Sequence, residues 1–272
     1  MTLLEARAET FVVEGPAEGH TRVRMTVAYD GSRFRGVAEN RDVVTVAGTI
    51  REVLERVAGH TVALVVAGRT DAGVHAWGQV IHVDIATEAV LDGRATPERL
   101  ARAINRQCVP GIVVREASIA PDGFHARFSA HTRRYRYTVL NRDVPDPFIA
   151  HTSWWVPQPL DLRAMILGCD PLIGVHDFSS FCRRPSADPE ASLIRRVVDC
   201  RWHDLGEGVL RFDIEANAFC HQMVRSIVGT LVDMGQGRLR AGQMTGIIRA
   251  GDRGSAGRMA PPHGLCLWEV TY

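Results

Sequence analysis

The sequence predicts an α+β fold built on a largely antiparallel sheet, and three observations lead there. Strand-like and helix-like stretches mix without the strict alternation of a parallel β-α-β protein. A similar mixed pattern runs twice along the chain, the second pass beginning near Asp122. At 272 residues, 46% of them hydrophobic, the chain can form one large domain or two moderate ones sharing a core.

In the first pass, Val23 to Tyr29 reads as a strand closed by the turn Asp30-Gly31-Ser32. Thr45 can cap a helix whose apolar positions are Val46, Ile50, Val53, Leu54 and Val57, and Gly59 stops it. Val62 to Ala67 is a β-branched run of strand length, and Gln79 to Ile85 alternates polar and apolar residues like a half-buried strand. Between them lies Gly68-Arg69-Thr70-Asp71-Ala72-Gly73-Val74-His75, in which two glycines bracket one carboxylate. Glycine permits close backbone approaches, so this reads as a shaped loop rather than a simple hairpin turn. Asp71 is then either a functional acid or a turn cap, since Asp often caps turns. Thr96-Pro97-Glu98 opens the next helix, Val109-Pro110-Gly111 ends it, and Ile112 to Ala117 resumes strand.

In the second pass, Tyr135 to Leu140 is a strand and Pro159-Leu160-Asp161 starts a short helix to Leu167. Residues Arg183 to Glu190 read as a mobile loop. Ile194 to His203 and Val209 to Glu215 form a hairpin around Leu205-Gly206-Glu207-Gly208. A helix from Ala218 to Met234 carries Phe219, Met223, Val224, Ile227, Val228 and Leu231 on its apolar side. His221, Arg225 and Gly229 lie on its other, open face at four-residue spacing. A helix from Gln243 to Ala250 and a strand from Leu265 to Thr271 complete the chain.

Composition narrows the chemistry. All 32 basic residues are arginine, which removes Schiff-base lysine chemistry and the P-loop lysine together. Six cysteines stand at 108, 169, 182, 200, 220 and 266 with no C-x-x-C pair, so they read as reduced thiols packed as small hydrophobes. No histidine is followed two residues later by glutamate, and P-C-x-x-C is missing, which excludes zinc deamination. No apolar run approaches the ~18 residues of a membrane span. Residues 1–20 carry Glu5, Glu9, Glu14 and Glu18 and no apolar stretch, so a loosely ordered extension is expected there rather than a secretory signal. Net charge is only +1, so a polyanionic partner requires arginines gathered on one surface. The densest group is Arg127, Arg133, Arg134, Arg136 and Arg142, interleaved with Tyr135 and Tyr137. That pattern suits phosphate contacts and base stacking, or equally a solvated strand face.

Taken together, several segments resemble the tRNA pseudouridine synthase A family over about residues 22 to 272. They are Tyr29-Asp30-Gly31-Ser32, the loop Ala67 to His75 (AGRTDAGVH), Phe124 to Ser129 (FHARFS), Arg133 to Tyr137 (RRYRY), Asp177 to Phe181 (DFSSF) and Asn217 to Gly229 (NAFCHQMVRSIVG). The resemblance implies two ferredoxin-like (RRM-like) subdomains whose sheets join across a central catalytic cleft. Residues 21–120 would carry the aspartate loop, and 121–272 the tyrosine and arginine. It implies isomerisation of uridine to pseudouridine at positions 38, 39 and 40 in the anticodon arm of tRNA, by a homodimer without metal or organic cofactor; a cytoplasmic location is expected separately, from the reduced thiols. It assigns Asp71 as the catalytic aspartate, Arg69 to displacement of the target nucleotide, Tyr135 to stacking on the target base, and Arg225 to pairing with the aspartate. Arg127, Arg133, Arg134 and His221 are further candidates for RNA contact.

The chemistry asks for these residue types. A base inside a stem is stacked, so it must be flipped out before its glycosidic bond is reachable, and an arginine can fill the space it leaves. An acid attacking the sugar or base must be ionised, and a neighbouring guanidinium stabilises that charge. Val74 and Trp77 are expected to keep such a site dry. The chain departs from the family at Gly36-Val37-Ala38, Thr45-Val46-Ala47 and Cys266, where the family carries aromatic or amide residues, which puts local packing and some RNA contacts in question. The competing reading is a non-catalytic RNA-binding module of the same fold, which has no need of Asp71. A nucleoside glycosidase normally wants a second carboxyl group as general acid, and no such partner for Asp71 is apparent in the matched segments.

Overall fold

The computed structural model describes residues 15–184 and 188–272. Most of the N-terminal extension, and the centre of the loop expected at 183–190, lie outside the described residues.

The first half runs β1 (His20–Tyr29), α1 (Val46–Ala58), β2 (Leu64–Val66), β3 (His75–Ala86), a short α2 (Thr87–Leu91), α3 (Pro97–Gln107) and β4 (Ile112–Ile119). The helix boundaries follow local chemistry. The Thr45 hydroxyl accepts the Gly48 N–H at the start of α1, and Gly59 ends it in the left-handed region at φ 77°. Thr96 caps α3, with Pro97 in its first turn.

The second half runs β5 (Thr132–Leu140), β6 (Trp154–Trp155), α4 (Leu162–Leu167), β7 (Gly174–Asp177), β8 (Ile194–Asp204), β9 (Val209–Ala216), α5 (Met223–Gly235), α6 (Met244–Ala250) and β10 (Leu265–Thr271).

Both halves show the same strand order. In the first it is β4-β1-β3, with β2 on the outer edge of β3; in the second it is β10-β5-β9-β8, extended by β7. Numbered within each half, with the short β6 and β7 set aside, both read 4-1-3-2, the ferredoxin-like arrangement. β10 then pairs in parallel with β3 through Cys266 opposite His75 and Leu267 opposite Ala76, so the two sheets become one. β2 and β10 thus share one edge of β3, β2 along Ile81–Val83 and β10 at His75–Ala76. The chain leaves the sheet at this fork, and the loop that carries Asp71 is what it makes there.

Side-chain alternation sorts the sheet into a helix-covered face and an outer face. Val23, Met25, Val27 and Tyr29 are buried on the helix side, with Ile50, Leu54, Leu100 and Ile104 from α1 and α3 in the same core. On the outer face of this half, Arg24 lies over the rings of Phe124 and Tyr272, and His82 packs edge-on to Phe124. In the second half, Tyr135, Tyr137, Phe212 and Ile214 turn to the helix side and Arg134 and Arg136 to the outer face. Every residue of α5 except Arg225 is buried.

Two expectations change. The helix foreseen from Ala218 begins only at Met223, because Gln222 adopts a left-handed conformation at φ 67°. Its supposedly open face is also covered: a Cβ on Gly229 would stand 1.7 Å from the Arg258 carbonyl oxygen, so residues 257–260 strap directly across the helix.

Candidate active site

The loop between β2 and β3 is held from both ends. Ala67 N–H extends the sheet by one bond to Val80 O at 2.8 Å. Gln79, fully buried in β3, then grips Gly68 twice, accepting its N–H at 3.3 Å and donating to its carbonyl at 2.7 Å. The Tyr29 and Thr70 hydroxyls hydrogen-bond at 2.7 Å, and Val37 N–H donates to Thr70 O. Gly31 is needed for closeness: a Cβ there would fall 2.0 Å from the Val74 carbonyl oxygen. His75 accepts the Gly31 N–H on Nδ1, while its Nε2 lies 3.0 and 3.1 Å from the carbonyls of His151 and His263. Both ring nitrogens are engaged in holding three segments together.

This frame presents Asp71 with its side chain 25% exposed. The Arg225 Nη1 donates to Asp71 Oδ2 at 3.2 Å, and His221 Nε2 lies 3.3 Å from Oδ1. Arg225 is aimed by a second bond, from Nε to the Ala260 carbonyl at 2.8 Å, and Ala260 N–H returns to Arg225 O. Asp233, buried in α5, anchors the strap by accepting the Arg258 N–H and pairing with the Arg258 and Arg238 guanidinium groups. Tyr135 lines the same site. Its ring meets Phe219 edge-on at 5.1 Å, and its hydroxyl stands 3.9 Å from where a Gly68 Cβ would be. Burial, and secondarily neighbouring Tyr29, raise the Tyr135 pKa well above the usual phenol range, so it serves as a neutral ring and hydroxyl.

The remaining candidates are distributed differently. Arg69 is exposed on the loop beside Asp71. Arg127 is exposed, its guanidinium over the Phe128 ring. Arg133 is buried and spends its donors on the carbonyls of Ala67, Arg127, Ala130 and Asn217. It therefore ties the root of the aspartate loop to the second half instead of offering charge to a ligand. Arg134 lies on the outer face, paired with Glu215 at 2.7 Å and Glu269 at 3.3 Å. Trp77 also turns outward, 45% exposed and stacked on Trp268, with the Arg115 guanidinium over its ring, so Val74 alone of the expected apolar pair is buried near the loop. Among the described residues, no three His, Cys, Asp or Glu side chains gather as metal ligands would.

One carboxyl group, with a guanidinium hydrogen-bonded to one oxygen and an imidazole against the other, thus stands near a buried tyrosine. The sequence model described as tRNA pseudouridine synthase matches residues 25–129 and 169–272, two stretches that contain Asp71, His221 and Arg225. The chain belongs to that family. Three relatives named tRNA pseudouridine synthase A show how far the likeness extends. That of Leifsonia xyli subsp. xyli is 42% identical over 267 residues, covering 93% of this chain and 92% of its own. That of Frankia casuarinae is 40% identical, covering 94% and 90%, and that of Brevibacillus brevis 39%, covering 92% and 99%. β5, with Tyr135, falls between the two stretches of the family match, so its place in the site rests on the geometry above.

Sequence reasoning passed over Gln79 and the Ala260 carbonyl. The one amide of β3, fully buried on the helix-covered side of the sheet, carried no distinguishing mark among the polar residues of that alternating strand. For Ala260 there was no signal either, since a main-chain acceptor leaves no mark on the side-chain pattern.

Proposed function

We propose that this chain isomerises uridine to pseudouridine at positions 38, 39 and 40 in the anticodon arm of tRNA, with Asp71 as the catalytic carboxylate. The observation that carries the reading is the meeting of Asp71, Arg225, His221 and Tyr135 in a member of this family. The reaction breaks the bond from ribose C1′ to uracil N1 and joins C1′ to C5. The C5 proton is lost and N1 gains one, so nothing is consumed or released. Addition of the acid at C1′, addition at uracil C6 and removal of a sugar proton all start from an ionised, partly open carboxylate, and Arg225 stabilises that charge.

The target base has to leave its stack to reach Asp71, at a cost of ~a few kcal/mol. Exposed Arg69, at the tip of the loop, is suited to occupy the vacated space, and Arg127 to contact phosphate. Tyr135 supplies the ring surface against the flipped uracil. Residues 21–120 then act as the subdomain presenting the acid and 121–272 as the one presenting the ring and the guanidinium. The reading includes a homodimer, which family resemblance supports, working in the cytoplasm, which the unpaired cysteines support. A purely RNA-binding role would leave the Asp71–Arg225 pair without a use.

The test is to map pseudouridine in tRNA transcribed without modification, before and after incubation with the protein. Pseudouridine at one or more of the three positions is expected; release of free uracil would point to a glycosidase instead.

A further inference from the structure

We propose that His221 is a positioning residue for Asp71: it holds the carboxylate oxygen that Arg225 leaves free and thereby sets the direction from which the acid meets its target. The inference rests on the reading of Asp71 as the catalytic group, and it differs from the RNA contact expected for His221.

The geometry sets one nitrogen against each oxygen: Arg225 Nη1 donates to Oδ2 at 3.2 Å, and His221 Nε2 stands 3.3 Å from Oδ1. A carboxylate held by a single donor can swing about its Cβ–Cγ bond, whereas a ring standing against its second oxygen limits that swing. The lone pairs that remain then point in defined directions through the open quarter of the side chain. The two donors also reach Asp71 from different supports. Arg225 lies in the first turn of α5 and is steered by the Ala260 carbonyl. His221 lies in the irregular segment ahead of the helix and is steered by its own backbone.

That backbone is held in place unusually firmly. Gln222 sits at φ 67° and ψ 2°, a region disfavoured for any residue with a Cβ. Its strain is offset by contacts from three directions. Arg183 N–H donates to His221 O at 3.0 Å, Met223 N–H to Cys220 O at 3.2 Å, and Arg253 Nη2 to the Gln222 side-chain oxygen at 3.2 Å. The left-handed residue redirects the chain between β9 and α5 directly after His221, and strain kept beside a reactive group is a common mark of positioning. His221 is 44% exposed, so no packing demand accounts for the imidazole there.

The test compares wild type, His221→Ala and His221→Gln on unmodified tRNA, measuring the single-turnover rate at saturating enzyme and the tRNA dissociation constant separately. Thermal melts confirm that each variant is folded. His221→Ala is expected to slow the saturated rate about a hundredfold, the scale for a misplaced reacting group, with affinity changed less than about threefold. Gln, whose amide N–H can stand where Nε2 stood, is expected to recover at least about tenfold of that loss. An unchanged saturated rate with weakened binding makes His221 an RNA contact and overturns the proposal, as does a Gln variant as slow as Ala. Wild type run alongside separates the two readings. Turnover that survives His221→Ala unchanged removes His221 alone, whereas no turnover by wild type removes the catalytic reading beneath it.

Discussion

Arg225 touches two unlike acceptors at once, the Asp71 carboxylate and the Ala260 carbonyl, and only a guanidinium has donors arranged to do so. An ammonium in its place keeps the charge but lacks the two donors set apart on a rigid plane that Nε and Nη1 provide. Arg225→Lys is therefore expected to lose at least about tenfold in rate, ~1.4 kcal/mol, although net charge is unchanged; a variant with wild-type turnover would reduce Arg225 to a source of charge. Residues of this kind were readable in advance through the family resemblance, as in the loop around Asp71 and the segment Asn217 to Gly229, whereas spacing alone left Asp71 as either an acid or a turn cap. Others were not, because two adjacent arginines look alike in a sequence. Arg133 and Arg134 differ by one position along β5, which sends the first into the core and the second to the outer face. Trp77 turned outward at the register shift near Gly78, between Val27 and Tyr29 of the neighbouring strand, and no local pattern announces an irregularity of that kind.

The elements most telling for the site are α5 with its strap, and β3 with the segment folded over it. Gly229 permits the strap's approach, and a Cβ at 1.7 Å from the Arg258 oxygen would force residues 257–260 off the helix. Gly229→Ala is expected to destabilise the protein by about 3 kcal/mol despite alanine's better helix propensity, and to lower turnover by releasing Ala260 from Arg225. A chemical-denaturation midpoint equal to that of wild type would contradict the tight contact.

On the outer face of β3, burial first, and then the charges of Arg22 and His125, depress the His82 pKa from 6.5 to about 4. Between these values the unfolded chain binds a proton that the folded chain refuses. The contribution is thus complete above about pH 6.5 and is lost as pH falls towards 4, on the order of 3 kcal/mol. Protonation would also remove the acceptor for the Ala126 N–H, which His82 Nδ1 meets at 3.0 Å. His82→Asn should therefore flatten the fall in melting temperature across this interval without abolishing it, since burial depresses His125 as well. Identical profiles for wild type and variant would refute it. Helix and strand boundaries in these regions were legible wherever a capping residue stood at the end, as at Thr45, Gly59 and Thr96. The late start of α5 was not, because the apolar spacing continues unbroken through Phe219 while the backbone turns at Gln222.

At the scale of the whole molecule, the repeated pattern in the sequence corresponds to two sheets of the same strand order. What local reading could not supply is their join, since β10 reaches β3 from the far end of the chain through two residue pairs. That join lets the first half's acid face the second half's tyrosine, imidazole and guanidinium, and a site divided between halves leaves neither sufficient alone. The most direct test of this account is the Asp71→Ala protein, shown to be folded, incubated with unmodified tRNA and assayed for both pseudouridine and binding. Pseudouridine formation should vanish while tRNA affinity stays within about tenfold of wild type, ~1.4 kcal/mol. Substantial turnover by that folded variant would contradict the central claim.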